Sequence, residues 1–184
     1  GMGAEKLTLS GGEPFFSPGI WELLSFAKKL GYSVKIYSSG VLSDGEKLLA
    51  IDEFTLQKIV HYVERIIFSL HGASADVHDY ITGKPGSFEL LMESIQRVVE
   101  SGLPCEVHVV PMSINYRHIP YVVELAEGLG IKQVSFLRLV LQGRCVEHKE
   151  LLMNKAQVIE FINIIENLSS SLLNVRKGAP YRCL

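Results

Sequence analysis

The chain has no apolar run long enough to cross a bilayer and no signal peptide, so neither a helical membrane span nor a secretory leader is indicated. Low-complexity tracts and short-period repeats are absent too, which argues against a repeat array or a disordered tail. An excess of one charge is also lacking. Lys plus Arg number 18 against 20 Asp plus Glu, a formal net charge of −2. That balance gives no electrostatic case for nucleic acid or an anionic membrane surface. Cysteine is scarce and scattered: Cys105, Cys145 and Cys183 lie far apart, with no Cys-x-x-Cys pair. Neither a disulfide framework nor a local zinc site is suggested, and a reducing, cytoplasmic location is the default. Cys105 falls in an apolar strand pattern and reads as a buried small hydrophobe.

What is present is ordinary globular composition: 184 residues, 47% hydrophobic and 21% charged, enough for one domain with a substantial core. The ends look cut. Gly1 before Met2 reads as a tag-cleavage scar, and "KGAPYRCL" closes the chain without a helix or polar tail. The expected organisation is a scar over 1–3, a barrel-type domain over 4–176, and the start of a C-terminal extension over 177–184.

Strand and helix signals alternate along the chain. "KLTLS", "SVKIYS", "RIIFSLH", "CEVHVVPM" and "KQVSFLRLVLQG" read as strands, with "LNVRKG" as a short last one. Between them lie amphipathic helices. Ser17 and Pro18 look like an N-cap and first helical residue for "GIWELLSFAKKL", which Gly31 ends. Residues 40–54 read as a long connection to the helix "FTLQKIVHYV". A turn-rich loop precedes "SFELLMESIQRVVESG", which Gly102 stops. "IPYVVELAEGLG" ends at Gly130, and Asn154 caps "NKAQVIEFINIIENL". Such alternation implies parallel strands with right-handed crossovers.

The strand faces select among parallel architectures. A doubly wound sheet needs strands that are apolar on both faces. Here Leu7 and Leu9 oppose Thr8 and Ser10, Val34 and Ile36 oppose Lys35 and Tyr37, and Val107 and Val109 oppose Glu106 and His108. In the same count Ile66, Phe68 and Leu70 oppose Ile67, Ser69 and His71, and Leu137, Leu139 and Leu141 oppose Phe136, Arg138 and Val140. One face suits helices and the other carries polar groups. This predicts an α/β fold, a partial (β/α) TIM-type barrel of parallel strands with helices outside. Lys35, His71, Glu106, His108 and Arg138 then point inward. The plainer readings are a one-sided sheet facing water or a partner, or a register slip that exchanges the faces.

In a parallel barrel the carboxyl ends of the strands form the site. Those ends read "SGGEP", "SSG", "SLHG", "MSIN" and "LQGR". Gly11 and Gly12 allow close backbone approach, Glu13 supplies a carboxylate, and Pro14 stops the strand. A carboxylate beside exposed carbonyls suits an ammonium group.

With these segments together, "LTLSGGEPFF", "KIYSSG", "FSLHGASADVHDYITGKPGSFELL" and "SINYRHIPYVVELAEGLGIKQVSFLRLVLQGR", the chain resembles the radical S-adenosylmethionine (SAM) superfamily. The resemblance is to its cofactor- and peptide-maturation branch, which serves coenzyme PQQ, heme and metallocofactor synthesis. It implies that Gly11, Gly12 and Glu13 hold the methionine amine of SAM and that Ser38, Ser39 and Ser69 line the ribose. Asn115 and the backbone at Val140 would approach the carboxylate or adenine. His71, His108 and Arg138 become substrate-side candidates. Each has a plainer role: His71 capping a turn, His108 an interior histidine with its bonds met, Arg138 an ion pair with Glu106, and His78 a cap.

The sequence departs from the family twice. Position 71 is histidine where the branch has aspartate. The Cys-x-x-x-Cys-x-x-Cys segment that holds a [4Fe–4S] cluster is absent. The chain starts at what resembles the second barrel strand, so the first strand and its cysteine loop are expected upstream, and Cys183 could ligate an auxiliary cluster in a longer protein. The implied function is reductive cleavage of SAM at a [4Fe–4S] cluster to give a 5′-deoxyadenosyl radical that acts on a small-molecule or peptide substrate. A ferredoxin- or flavodoxin-like protein would donate the electron. This chain alone should be inactive, and its "KLTLS" edge should dimerise. Two other readings stay open. One is a non-catalytic SAM- or nucleoside-binding module. The other is a metal-dependent (β/α) aldolase or isomerase, for which Lys35 is the sole inward lysine and lies well before its strand's end.

Overall fold

The computed structural model describes residues 3–141, 143–168 and 174–177. Strand β1 (Lys6–Leu9) leads through a 3-10 turn (Pro14–Phe16) into α1 (Ile20–Lys29). Next come β2 (Ser33–Ser38), β3 (Val41–Ser43), β4 (Leu48–Ala50), α2 (Glu53–Tyr62) and β5 (Arg65–Ser69). Then follow α3 (Ala75–Thr82), α4 (Ser87–Glu100), β6 (Cys105–Val109), α5 (Ile119–Gly128), β7 (Gln133–Phe136), α6 (Lys155–Asn167) and β8 (Asn174–Lys177). The elements form two compact units, Gly1–Ser69 with Pro85–Glu106 and Leu70–Lys84 with Val107–Leu184.

In the first unit, β1, β2 and β5 pair in parallel, with Leu7 opposite Val34, Leu9 opposite Ile36, and Ile36 opposite Ile66. The start of β6 lies beside β5, where Ile66 N donates to Pro104 O at 3.1 Å. The period-2 pattern places Val34, Ile36, Ile66 and Phe68 in the core, all fully or almost fully buried. They share it with Leu24 of α1, Ile59 of α2, and Leu91, Ile95 and Val98 of α4. The opposite face carries Lys35 opposite Arg65 and Tyr37 opposite Ile67. The connection after β2 is an antiparallel hairpin, β3 with β4. Ser94 of α4 clasps both of its ends: its Oγ donates to Gly40 O at 2.5 Å and accepts from Ile51 N at 2.9 Å.

In the second unit, β6, β7 and β8 pair in parallel. Val107, Val109, Val134 and Phe136 are fully buried, with Ile119 and Ala126 of α5 and Phe161 of α6. Phe136 and Phe161 meet edge to face at 5.9 Å, a geometry worth about 0.5–1.5 kcal/mol beyond burial. His108 lies opposite Ser135. Asn154 caps α6 as expected, in a reciprocal box with Gln157.

Alternating parallel strands and helices, with one polar strand face, match the sequence pattern. Four local readings are corrected. Helix α1 starts two residues later than expected, capped by Gly19; Ser17 instead closes the 3-10 turn, its N–H on Pro14 O. Residues 40–54 hold a hairpin rather than an open connection. The turn-rich loop contains α3, whose end is Gly83 in the left-handed region at φ +67°. Finally, β7 stops at Phe136, where residues 132–143 were expected to run on. Its last ladder bond to β6 is Leu137 N to Val109 O, 2.9 Å. β6 itself ends at Val109, two residues before Pro111, and has no more strand to offer. Arg138 and Val140 are therefore exposed and off the sheet, not members of an inward strand face, and Phe136, expected on the same polar face, instead lies opposite Val109 and against Phe161 in the core. Glu106 takes Arg65 as its ion-pair partner in place of Arg138.

Candidate functional site

The Gly-Gly-Glu-Pro segment leaves β1 directly. Gly11 has φ +141°, which an L side chain rarely adopts. A Cβ on Gly11 or Gly12 would meet nothing within 4 Å, so this backbone is open to an approaching group. Pro14 begins the 3-10 turn, where its missing N–H costs no bond.

The Glu13 carboxylate is held from β2. Oε1 accepts from Ser38 Oγ at 2.9 Å, and Oε2 accepts from Ser39 N at 2.7 Å and Ser39 Oγ at 2.6 Å. Ser38 Oγ in turn accepts from Gly40 N at 2.9 Å. Bonds of this charge-assisted kind fix a carboxylate's direction. They occupy three of its roughly four acceptor positions, leaving room for one further donor. The first unit thus brings together Gly11, Gly12, Glu13, Ser38 and Ser39. Ser69 ends β5 one residue past Phe68, the partner of Ser38, and is half-buried.

The second unit orders His71 by its backbone. His71 N donates to His78 Nδ1 at 3.2 Å, and Asn115 Nδ2 donates to His71 O at 2.9 Å. Asn115 is fully buried. Its second amide proton goes to Val110 O at 3.1 Å, and its Oδ1 accepts from Met112 N at 2.6 Å. Asn115 therefore ties together two strand ends, and its amide has no donor to spare for a ligand. The His71 ring lies nearly parallel to His78 at 5.8 Å, and its Nδ1 is buried without a hydrogen-bond partner. Desolvation, then the neighbouring His78, pushes its pKa down to about 4, so the ring is neutral near pH 7. Gly72 allows this turn, since a Cβ there would lie 2.6 Å from Val77. His78 is buried inside α3 and anchors the His71 backbone rather than capping the helix.

One partnership escaped the sequence reading. Arg65 forms an ion pair with Glu106, whose side chain is 5% exposed. Both lie on strands, and Glu106 falls on the polar face by parity, but Arg65 is 41 residues away and no local pattern links them. Burial, then Glu106, raises the Tyr37 pKa above its ordinary value.

The site thus consists of parallel βα units with a serine-held carboxylate beside two glycines at a strand's carboxyl end, the end at which parallel α/β barrels carry their sites. The family model for the radical SAM superfamily matches residues 1–127, and the chain belongs to that superfamily. It is 30% identical over 152 residues to an AdoMet-dependent heme synthase from Methanosarcina barkeri, covering 81% of this chain and 41% of that protein. It is likewise 30% identical over 167 residues to a PqqA peptide cyclase from Methylorubrum populi, covering 90% of this chain and 42% of the relative. The Streptococcus suis SuiB structure superposes with a TM-score of 0.71 at 16% identity, over 96% of this chain and 40% of that one. That likeness places the fold among the partial-barrel α/β folds. The chain spans about two fifths of the length of these relatives.

The open Gly11–Gly12 backbone and the one acceptor position left on Glu13 fit an ammonium-bearing ligand such as SAM. A [4Fe–4S] cluster does not fit the described residues. Cys105 is buried, and burial first of all pushes its thiol up to about 11. Cys145 lies apart from it in sequence, and no group of three or more His, Cys, Asp or Glu that could hold a metal ion occurs among the described residues. Cys183 lies outside the described residues. No described helix is long and apolar enough to cross a membrane.

Proposed function

We propose that this chain is the SAM-holding part of a radical SAM enzyme of cofactor or peptide maturation. The carrying observation is the Glu13 carboxylate, aimed by Ser38 and Ser39 beside the open backbone of Gly11 and Gly12. In this reading the carbonyls of Gly11 and Gly12 and the Glu13 carboxylate bind the methionine ammonium. Ser38, only 3% exposed, positions Glu13, while Ser39 and Ser69 face the ribose. Asn115 positions His71, and the Val140 backbone is left for the adenine side. Neutral His71, with His108 and Arg138, contacts a small-molecule or peptide substrate.

Were a [4Fe–4S] cluster held beside this site, with an electron from a ferredoxin- or flavodoxin-like partner, it would supply the reduction that turns SAM into a radical source, while Gly11, Gly12 and Glu13 hold its methionine ammonium. The thiolates that would hold such a cluster are not among the described residues.

Isothermal titration of the chain with SAM tests the binding claim. Saturable binding that Glu13→Gln weakens tenfold or more is the expected result. No binding, or equal affinity in a folded Glu13→Ala variant, overturns it. A cluster-free SAM- or nucleoside-binding module remains the second reading, because Gly11, Gly12, Glu13, Ser38 and Ser39 all lie in one unit and need no metal. Iron and sulfide counting on the longest reading frame, expressed anaerobically, separates the two.

A further inference from the structure

A cleft of about 220 Å³ opens in the first unit between the 3-10 turn after Glu13 and the β3–β4 hairpin. Phe15, Phe16 and Trp21 line it, as do Asp44 after β3 and Asp52 at the start of α2. Phe15 stacks on Trp21 at 5.7 Å, and Phe16 is 46% exposed. Each carboxylate commits one oxygen to backbone. Asp44 Oδ1 accepts from Glu46 N and Lys47 N, both at 3.0 Å, and Asp52 Oδ1 accepts from Thr55 N at 2.7 Å. Among the described residues no donor reaches either Oδ2. The backbone bonds from Lys47 and Glu46 hold the Asp44 carboxyl below its ordinary range, so it is ionised at neutral pH.

Lys47 acts on Asp44 through its charge, but among the described residues no cation forms an ion pair with either aspartate. Lys58 lies over the Trp21 ring at 4.9 Å and the Phe54 ring at 4.4 Å. It makes no ion pair with either aspartate, nor does Lys47. Lys58 does show that a cation is accepted on this aromatic cluster. An anion entering the cleft meets two like charges. An apolar group would desolvate two carboxylates without pairing them. A slim cation satisfies both walls, carboxylates by charge-assisted bonds and rings by cation–π contact. The volume is below the range of clefts that hold drug-sized ligands and suits a single side chain.

We propose that this cleft binds the guanidinium or alkylammonium group of a peptide's arginine or lysine. The assignment is independent of SAM binding at Glu13, since the two sites share no side chain.

Trp21 is the only tryptophan, so its emission reports on the cleft directly. The full chain is titrated with N-acetyl-Gly-Arg-Gly-amide, with the neutral citrulline counterpart, and with 1,4-diaminobutane. The expected result is a saturable emission change with the arginine peptide, in the millimolar range or tighter, and none with citrulline. Asp44→Asn combined with Asp52→Asn should raise the Kd tenfold or more, because Asn preserves both backbone caps but removes the charge. If circular dichroism shows that this double variant is unfolded, Phe16→Ala should give a similar loss. Equal response to citrulline, no saturation, or unchanged affinity in folded variants overturns the proposal. Diaminobutane binding as tightly as the peptide overturns the peptide as source in favour of a free polyamine.

Discussion

Replacing Gly40 by alanine tests how the Glu13 cradle is built. Gly40 follows the two serines that hold Glu13. It is buried at φ +70°, and a Cβ there would come 2.6 Å from Leu91 Cδ1 and 3.2 Å from two Phe68 ring carbons. Two separable costs follow. Forcing an L residue into the left-handed region costs about 1 kcal/mol. Inserting a methyl against Leu91 and Phe68, both fully buried and unable to swing into solvent, adds about 1–3 kcal/mol. Gly40→Ala should therefore cost roughly 2–4 kcal/mol, against a typical total stability of about 5–15 kcal/mol. Gly31→Ala isolates the first cost, because Gly31 has φ +80° and open space around its would-be Cβ. Urea unfolding with linear extrapolation measures both. The two variants should differ by about 1–3 kcal/mol, and Gly40→Ala should also weaken SAM binding by displacing Ser38 and Ser39. Equal destabilisation of the two, within about 0.5 kcal/mol, would refute the packing argument.

Four further outcomes are expected. His71 has a folded pKa of about 4 against 6.5 unfolded, so the unfolded chain takes up the proton first. Its contribution is full above pH 6.5 and is lost as pH falls toward 4, by at most roughly 3 kcal/mol; His71→Gln should flatten that part of the unfolding profile. In a Cys183→Ser variant at mild alkaline pH, a disulfide reagent should modify Cys145 quickly and Cys105 only after denaturation, since the Cys105 thiol is held up at about 11; fast reaction of both would contradict its burial. Arg65→Met removes the guanidinium that pairs with the buried Glu106 carboxylate, costing about 2–4 kcal/mol in denaturant unfolding; adding Glu106→Leu should recover most of that loss, and no recovery would mean that the pair is not the cause. Strand β1 pairs only with β2 among the described residues, and its free edge should support association; light scattering that shows only monomer at high concentration would count against it.

Much of this protein is readable along the chain because backbone rules are local. Alternation at period 2 separates Val34 and Ile36 from Lys35 and Tyr37 whatever the neighbouring strand is. Glycines 31, 83, 102 and 130 all have positive φ where helices end, and Asn154 with Gln157 announces α6 through bonds spanning three residues. The Gly-Gly-Glu-Pro segment belongs to the same class, since its glycines and proline dictate their own conformation. Partnerships obey no such rule. Glu13 meets Ser38 across 25 residues, Arg65 meets Glu106 across 41, and Ser94 reaches Gly40 across 54. Each depends on strand register and helix placement, which long-range packing selects. Helix α3 hides among turn formers because a buried His78, anchored to the His71 backbone, supports it from outside its own sequence. The end of β7 is decided by where β6 stops offering hydrogen bonds. Residue types thus determined which groups could do chemistry at the strand ends, and only tertiary structure decided which of them met, because a hydrogen bond needs two groups at one place and the chain order of one says nothing about the position of the other.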